Sequence, residues 1–462
     1  MSGERDEREQ EDGPAEDDRP DRGDGGEPGE AGEAGEAEGG QVLPAKAAIQ
    51  VRLVVEAFRE TGIDIGVATT AAGHIDYVYE RGVLLVRDGY IDQVRNVVGG
   101  GETVDGLIDG VTVYSLQGAE ITQATGALEA IDAQLGASVA TPNQVLSVSP
   151  VALCPATEPE EPPAPAAPDP GPCEGNRGDG VFVYIADTGL LAGATTHPWL
   201  TGVTGELDPL PPPGPGGVVV IPPYTGHGTF IAGVARCMAP QAQVRVDNVF
   251  SEAGAALETK IVKALDKALG LVPDVISLSA GGTSRHDHPL LAFEAFWERY
   301  RHYKGLLLVA AAGNNSDRRP FWPAAFPQVV SVGALSANWR SRASFSDFGR
   351  WVDVYAPGEG LVNAYASGTY VCREPPHTGE IRAFHGMARW SGTSFSTPLV
   401  AGLITARMYR TGENGQQAAD ALLAVARAQA IPGLGPVLFP CETDSKRGHP
   451  DCCDHRHPCG HC

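Results

Sequence analysis

The chain has 462 residues, enough for two or three domains and a sizeable core, and a net charge of −24 from 34 Lys or Arg against 58 Asp or Glu. An acidic chain without a basic stripe excludes nucleic acid and an anionic membrane as expected partners. No run of 18 apolar residues points to a membrane-spanning helix.

Residues 1–45 form an acidic segment. Its first 40 residues hold 16 Asp or Glu against 4 Arg, half of the whole chain's net charge, and repeat Gly-Glu-Ala with almost no large apolar residue. Such a stretch cannot bury enough surface to offset its ordering entropy, so disorder is expected. Met1–Gly40 also lacks the basic start and apolar run of a secretory signal. A cytoplasmic location is therefore expected, with export by another route left open.

Residues 46–151 read as a small α/β domain. Ile49–Val55, Gly82–Arg87, Gly110–Ser115 and Val145–Val151 pattern as strands, and Ile91–Val98 and Thr125–Leu135 as helices, in a split βαβ, ferredoxin-like alternation. Residues 152–179 carry eight prolines from Pro155 to Pro172 and form an extended, semi-rigid linker.

From 180 to 438 the pattern is α/β throughout. Val181–Ala186 is six apolar residues in a row, as in a strand buried on both faces of a parallel sheet. Val275–Leu278, Gly305–Ala312 and Val329–Val332 are further strands. Ala256–Leu269 is a helix with Ile261, Val262, Leu265, Ala268 and Leu269 on one face, ending at Gly270. A doubly wound, mostly parallel sheet follows, with sites expected at the carboxyl ends of its strands.

Three segments fall at such ends. Asp187 follows the strand Val181–Ala186 directly and precedes Thr188-Gly189. A strand-end carboxylate commonly just caps a turn. His227 lies in Thr225-Gly226-His227-Gly228-Thr229, where glycines let the backbone approach a ligand, although a loop histidine at a helix start is an ordinary feature. Ser394 lies in Ser391-Gly392-Thr393-Ser394-Phe395-Ser396-Thr397-Pro398. Proline is tolerated in a first helical turn, which puts Ser394 at or just before the helix start, where free N–H groups favour negative charge. Alone, it reads equally as an N-cap serine.

Together, in the order Asp, His, Ser with these flanks, the motifs resemble the subtilisin family of serine proteases over residues 179–438. The resemblance implies a serine endopeptidase with Asp187, His227 and Ser394 as its triad and no cofactor needed for catalysis. Ala310–Asn314 (AAAGN) resembles the oxyanion segment and implies Asn314 as the donor, with Asn315 its neighbouring rival. Val275–Gly282 (VISLSAGG) implies that Ser279, Ala280 and Gly281 pair with extended peptide or protein substrate. Trp322-Pro323-Ala324 with Val329–Ala334 (VVSVGA), and Ser344–Gly349 with Val352–Gly358 (SFSDFG, VDVYAPG), match further family stretches. Phe321, by the same resemblance, lies at the base of the S1 pocket and implies small or slender P1 side chains. Residues 46–151 resemble the family's propeptides, which implies an intramolecular inhibitory domain and self-cleavage in the linker. The insertion that carries a tight calcium site in many relatives is missing from Gly228–Pro240, and a proline-rich insertion, Pro209–Gly217, lies between Asp187 and His227. Sedolisins share the Ser-Gly-Thr-Ser segment but replace the histidine and the oxyanion Asn; His227 and Asn314 argue against them.

Residues 439–462 end in four Cys and four His within 14 residues. Cys452, Cys453, His455, His457, Cys459, His461 and Cys462 are candidate zinc ligands, since thiolate and imidazole suit Zn²⁺. Cys459-Gly460-His461-Cys462 also resembles a redox pair but lacks its βαβ context. The alternatives to an active protease are an inactive protease-fold binding module and a protein that binds metal through this tail.

Overall fold

Strand Phe182–Asp187 is buried on both faces, as its apolar run requires, and lies inside a seven-stranded parallel sheet. The computed structural model describes residues 45–148, 157–303 and 305–440, together with Gly35–Glu36. Seven parallel strands run in the order Val354–Pro357, Val329–Leu335, Leu308–Ala311, Val275–Leu278, Phe182–Asp187, Gln243–Asn248 and Thr204–Gly205. Side chains alternate along the buried strand. Val183 and Ile185 join a core with Phe230 of helix His227–Met238 and Leu399 of helix Thr393–Thr411. Tyr184 and Ala186 join a second core with Ile261 and Leu265 of helix Glu258–Leu269 and Phe293 and Phe296 of helix Leu291–Tyr300. The sheet is thus doubly wound, as expected. It grows to one side of Phe182–Asp187 with Gln243–Asn248 and then to the other with Val275–Leu278. That reversal opens a crevice at the strands' carboxyl ends.

In the smaller domain, the long strand Ile75–Arg87 pairs with Ile65–Thr69 through its first half, with Val111–Ser115 through its second, and with Ala140–Ser147 along its length. Glu102–Ile108 adds outside Val111–Ser115. Helices Ile91–Val98 and Ala124–Leu135 cover one face, burying Leu84 and Val86. The expected strand Ile49–Val55 is instead part of helix Ala45–Glu60. Val51, Val54 and Phe58, three and four residues apart, are buried against Ile65, Ile75 and Val78. A helical stripe facing a sheet overrides the strand preference of β-branched residues.

The other face of that sheet packs on the large domain. Leu85, Ile108, Val111 and Leu146 share a core with Ile261, Leu265, Phe293 and Phe296. Ion pairs frame it: Arg87–Glu294 at 2.6 Å, Arg285–Asp132 at 2.6 Å and Arg319–Asp76 at 2.7 Å. The end of Ala140–Ser147 leaves its own sheet and pairs antiparallel with Ala255–Leu257.

Residues 157–179 of the proline-rich stretch form no helix, bend repeatedly and turn within 174–179, and they are fastened down. Glu160 bridges Arg389 and Asp169 bridges Val362, on the two strands of the hairpin Leu361–Val371 and Ile381–Trp390. Buried Glu158 accepts the Tyr370 hydroxyl at 2.9 Å and the Arg373 N–H at 2.7 Å, and Trp390 Nε1 donates to the Thr157 carbonyl at 2.6 Å. Cys173, Cys237 and Cys372 are buried free thiols, and burial pushes Cys237 up to about 12. Among the described residues no helix is long and apolar enough to cross a membrane.

Glu258, inside the large domain, is a wholly buried carboxyl. Glu258 accepts the Ala292 N–H at 2.7 Å and that of Phe293, capping helix Leu291–Tyr300 from a distance. Burial pushes it from near 4.5 up to about 8. The folded chain therefore holds a proton that the unfolded chain has released, and stability is lost as pH rises through that window. Glu258→Gln keeps an acceptor and removes the titration. The Gln variant gains Tm relative to its parent between about pH 5 and about pH 9. A pH-independent difference refutes this assignment.

Candidate active site

Asp187 is the last residue of its strand and fully buried. Its Oδ1 lies 2.7 Å from His227 Nδ1 and accepts the Thr188 N–H at 2.8 Å. His227 is the first residue of its helix and follows Gly226 at φ +90°, where any Cβ would meet the Tyr365 ring at 2.9 Å. Only glycine fits that entry. Asp208 Oδ2 accepts the Gly226 N–H at 2.7 Å and the Thr188 hydroxyl at 2.8 Å, while Thr188 Oγ1 accepts the Gly228 N–H at 3.0 Å. The backbone on both sides of His227 is thereby tied to the strand that carries Asp187. Burial, with the Asp187 charge adding to it, pushes the Asp208 carboxyl up to about 6. Trp390 lies edge-on to the imidazole at 5.5 Å and Phe395 at 5.4 Å.

Ser394 is the second residue of helix Thr393–Thr411, and Pro398 sits in the second turn rather than the first. The expectation that Pro398 marks the helix start is corrected accordingly. Pro398 has no N–H for the Ser394 carbonyl four residues back. That carbonyl accepts the Ser279 hydroxyl instead, at 2.8 Å. A side chain from a neighbouring strand end therefore replaces the missing helical bond.

Ser394 Oγ donates to the Val148 carbonyl at 3.1 Å and lies 3.4 Å from the Ser279 carbonyl. His227 Nε2 is buried and makes no hydrogen bond among the described residues. The structure thus joins Asp187 to His227, and Ser394 to Ser279 and Val148, with no Ser394–His227 bond. Val148 directly follows the small domain's last strand, Ala140–Ser147. Ser147 exchanges both backbone hydrogen bonds with Gly281, at 3.1 and 3.0 Å, and the Val148 N–H donates to the Gly254 carbonyl at 2.8 Å. Leu146, opposite Ala256, is buried in one core with Ala280. A peptide strand therefore lies between the two edges of the crevice and brings the Val148 carbonyl to Ser394 Oγ.

Asn314 is buried, and its Oδ1 accepts both the N–H and the hydroxyl of Thr393, at 2.8 and 2.9 Å. A backbone N–H can only donate, so the amide orientation is settled and Nδ2 turns away from Thr393. Asn315 is directed to Asp347 instead. Phe321 is buried between Gly281 and Gly313; a Cβ on either glycine would meet its ring, at 2.4 and 2.9 Å. The candidate zinc ligands Cys452, Cys453, His455, His457, Cys459, His461 and Cys462 lie outside the described residues. Among the described residues no group of three or more His, Cys, Asp or Glu could hold a metal ion.

Sequence reasoning missed Thr393, Asp208 and Asp347. Thr393 could have been suspected beside Ser394. Asp208 precedes the proline-rich insertion with no local mark of its role.

A family model described as the subtilase family matches residues 178–423. The chain is 31% identical over 243 residues to thermitase of Thermoactinomyces vulgaris, covering 49% of this chain and 74% of that protein. It is 30% identical to a thermophilic serine proteinase of Bacillus sp. (strain AK1), covering 48% of this chain and only 51% of the relative. Among solved structures, fervidolysin of Fervidobacterium pennivorans, described as a keratinolytic enzyme related to subtilisin, matches with a TM-score of 0.52 at 19% identity, over 78% of this chain and 60% of that one. At that identity the likeness concerns the fold alone. With more than half its length matched by the family model and a relative covered over most of its length, the chain belongs to the subtilase family of serine proteases.

Proposed function

We propose that the protein is an endopeptidase that uses Ser394, His227 and Asp187 as its triad, and that residues 45–148 hold it inhibited until the chain clips itself. The observation that carries this reading is the strand ending at Ser147, with Val148 directly after it. It occupies the crevice by main-chain pairing, the way an extended substrate adds to a sheet edge, and reaches 3.1 Å from Ser394 Oγ. For the cut, Ser394 Oγ turns from the Val148 carbonyl oxygen to His227 Nε2. Oγ then attacks the peptide carbonyl, Nε2 takes its proton and later hands it to the leaving amine, and water releases the acyl group. Asp187 Oδ1, 2.7 Å from Nδ1, holds the proton on that nitrogen and stabilises the imidazolium. Asn314 Nδ2 and the Ser394 N–H stabilise the oxyanion. The proline-rich stretch stays on the hairpin after the cut, because its bonds are to the large domain.

Purified wild-type chain is expected to yield a fragment that begins within residues 149–152, directly after the docked strand. Ser394→Ala is expected to stay full length and folded and to turn over no peptide, with Asp187→Asn and His227→Ala alike because the triad works as a unit. Intact mass spectrometry and a peptide-library digest read both outcomes. A Ser394→Ala chain that is still clipped at this position sinks the proposal.

Phe321 leaves little room between Gly281 and Gly313, and small or slender P1 side chains follow. Phe321→Ala opens that space. Its kcat/KM for substrates with Leu or Phe at P1 is expected to rise about tenfold or more over wild type. An unchanged library profile rejects the assignment of Phe321 to the S1 pocket.

A further inference from the structure

Asp347 is almost fully buried, and its bonds converge on one turn. Its Oδ1 accepts the N–H of Asn315 at 2.7 Å and of Asp317 at 3.0 Å, and its Oδ2 accepts Asn315 Nδ2 at 3.2 Å. Its own N–H donates to the Gly313 carbonyl at 2.9 Å. One residue thus binds the backbone immediately before and immediately after Asn314. The turn needs holding. Gly313 has φ +101° and Ser316 φ +55°, both left-handed, and Ser316 bears a side chain that disfavours this. A Cβ on Gly313 would lie 2.2 Å from Asp347 Oδ2, so the carboxylate sits hard against that glycine.

We infer that Asp347 is a positioning residue of the oxyanion hole, which by clamping Gly313 and Asn315 fixes the backbone from which Asn314 aims its Nδ2 at the reacting carbonyl. The inference rests on the reading of Asn314 as oxyanion donor. Asn314 is held from the other side by Thr393, whose N–H and hydroxyl fix its Oδ1. Thr393 orients the amide while Asp347 sets where the residue begins, and a donor displaced by a fraction of an ångström loses much of its effect on the transition state. Both backbone N–H groups bond to one oxygen of Asp347, Oδ1. Asn keeps that oxygen. Its new amide N–H₂ would face Asn315, whose Oδ1 is buried without a partner and can accept it once that side chain turns over. Burial already pushes the Asp347 carboxyl up to about 7, so a neutral side chain is no stranger to the site.

The test is the first-order rate of self-clipping of the full-length chain in a double-mutant cycle. Asp347→Ala is expected to slow clipping about tenfold or more in the wild-type background and by no more than about twofold when Asn314 is already Ala. Asp347→Asn is expected to clip within about threefold of wild type, and serves equally if the Ala variant does not fold. The same slowing by Asp347→Ala in both backgrounds, or none in either, overturns the positioning role while leaving the proposed function intact. An Asn314→Ala chain that clips at the wild-type rate overturns the oxyanion assignment and the positioning role with it.

Discussion

Everything about this molecule's state follows from one set of backbone hydrogen bonds, those between residues 145–148 and the two edges of the crevice. Residues at a strand end must satisfy their N–H and C=O groups, and an open crevice with Ala255–Leu257 on one side and Gly281 on the other offers partners for all of them. Under the proposed function, an extended substrate takes the edges that bind the small domain's last strand. Occupying them positions Val148 at Ser394, draws the Ser394 hydroxyl toward the Val148 carbonyl, and brings Leu146 into the core beside Ala280. The four-sided contact of the small domain's sheet with helices Glu258–Leu269 and Leu291–Tyr300 then fixes its attitude through apolar burial, with the ion pairs at the rim adding little each.

Buried carboxyls recur wherever the chain must hold an irregular backbone. Asp208 gathers the Gly226 N–H before His227, Asp347 gathers two N–H groups after Asn314, and Glu258 caps a helix from another element. In each case an oxygen acceptor satisfies donors that the local backbone cannot, and burial raises the carboxyl's pKa. A shared logic explains why three such groups, costly to bury charged, are kept. The loops there cannot be regular, since glycines at Gly226 and Gly313 turn left-handed to bring side chains inward. Pro398 shows the same economy, where the Ser279 hydroxyl stands in for a helical N–H.

Much of the large domain was legible in the amino-acid sequence because its signals are local. A run of six apolar residues ending in Asp187 can hardly be anything but a buried parallel strand. Glycines around His227 and a Ser-Gly-Thr-Ser segment ahead of an apolar run mark their places by composition alone. These segments, in their order, determine the fold and the identity of the residues at its carboxyl edge. What the sequence could not decide depends on partners distant along the chain. Ile49–Val55 carries β-branched residues but becomes helical because a sheet formed by residues 65–78 offers it one apolar face. Asp208, Asp347 and Glu258 look like surface carboxylates until folding brings N–H groups 18, 32 and 34 residues away onto them. The docking of Ser147 on Gly281 spans more than a hundred residues and has no periodicity to betray it. Local pattern selects elements, because hydrogen bonding and side-chain alternation within an element are short-range; which elements meet, and which buried polar groups they satisfy, is decided only by tertiary packing.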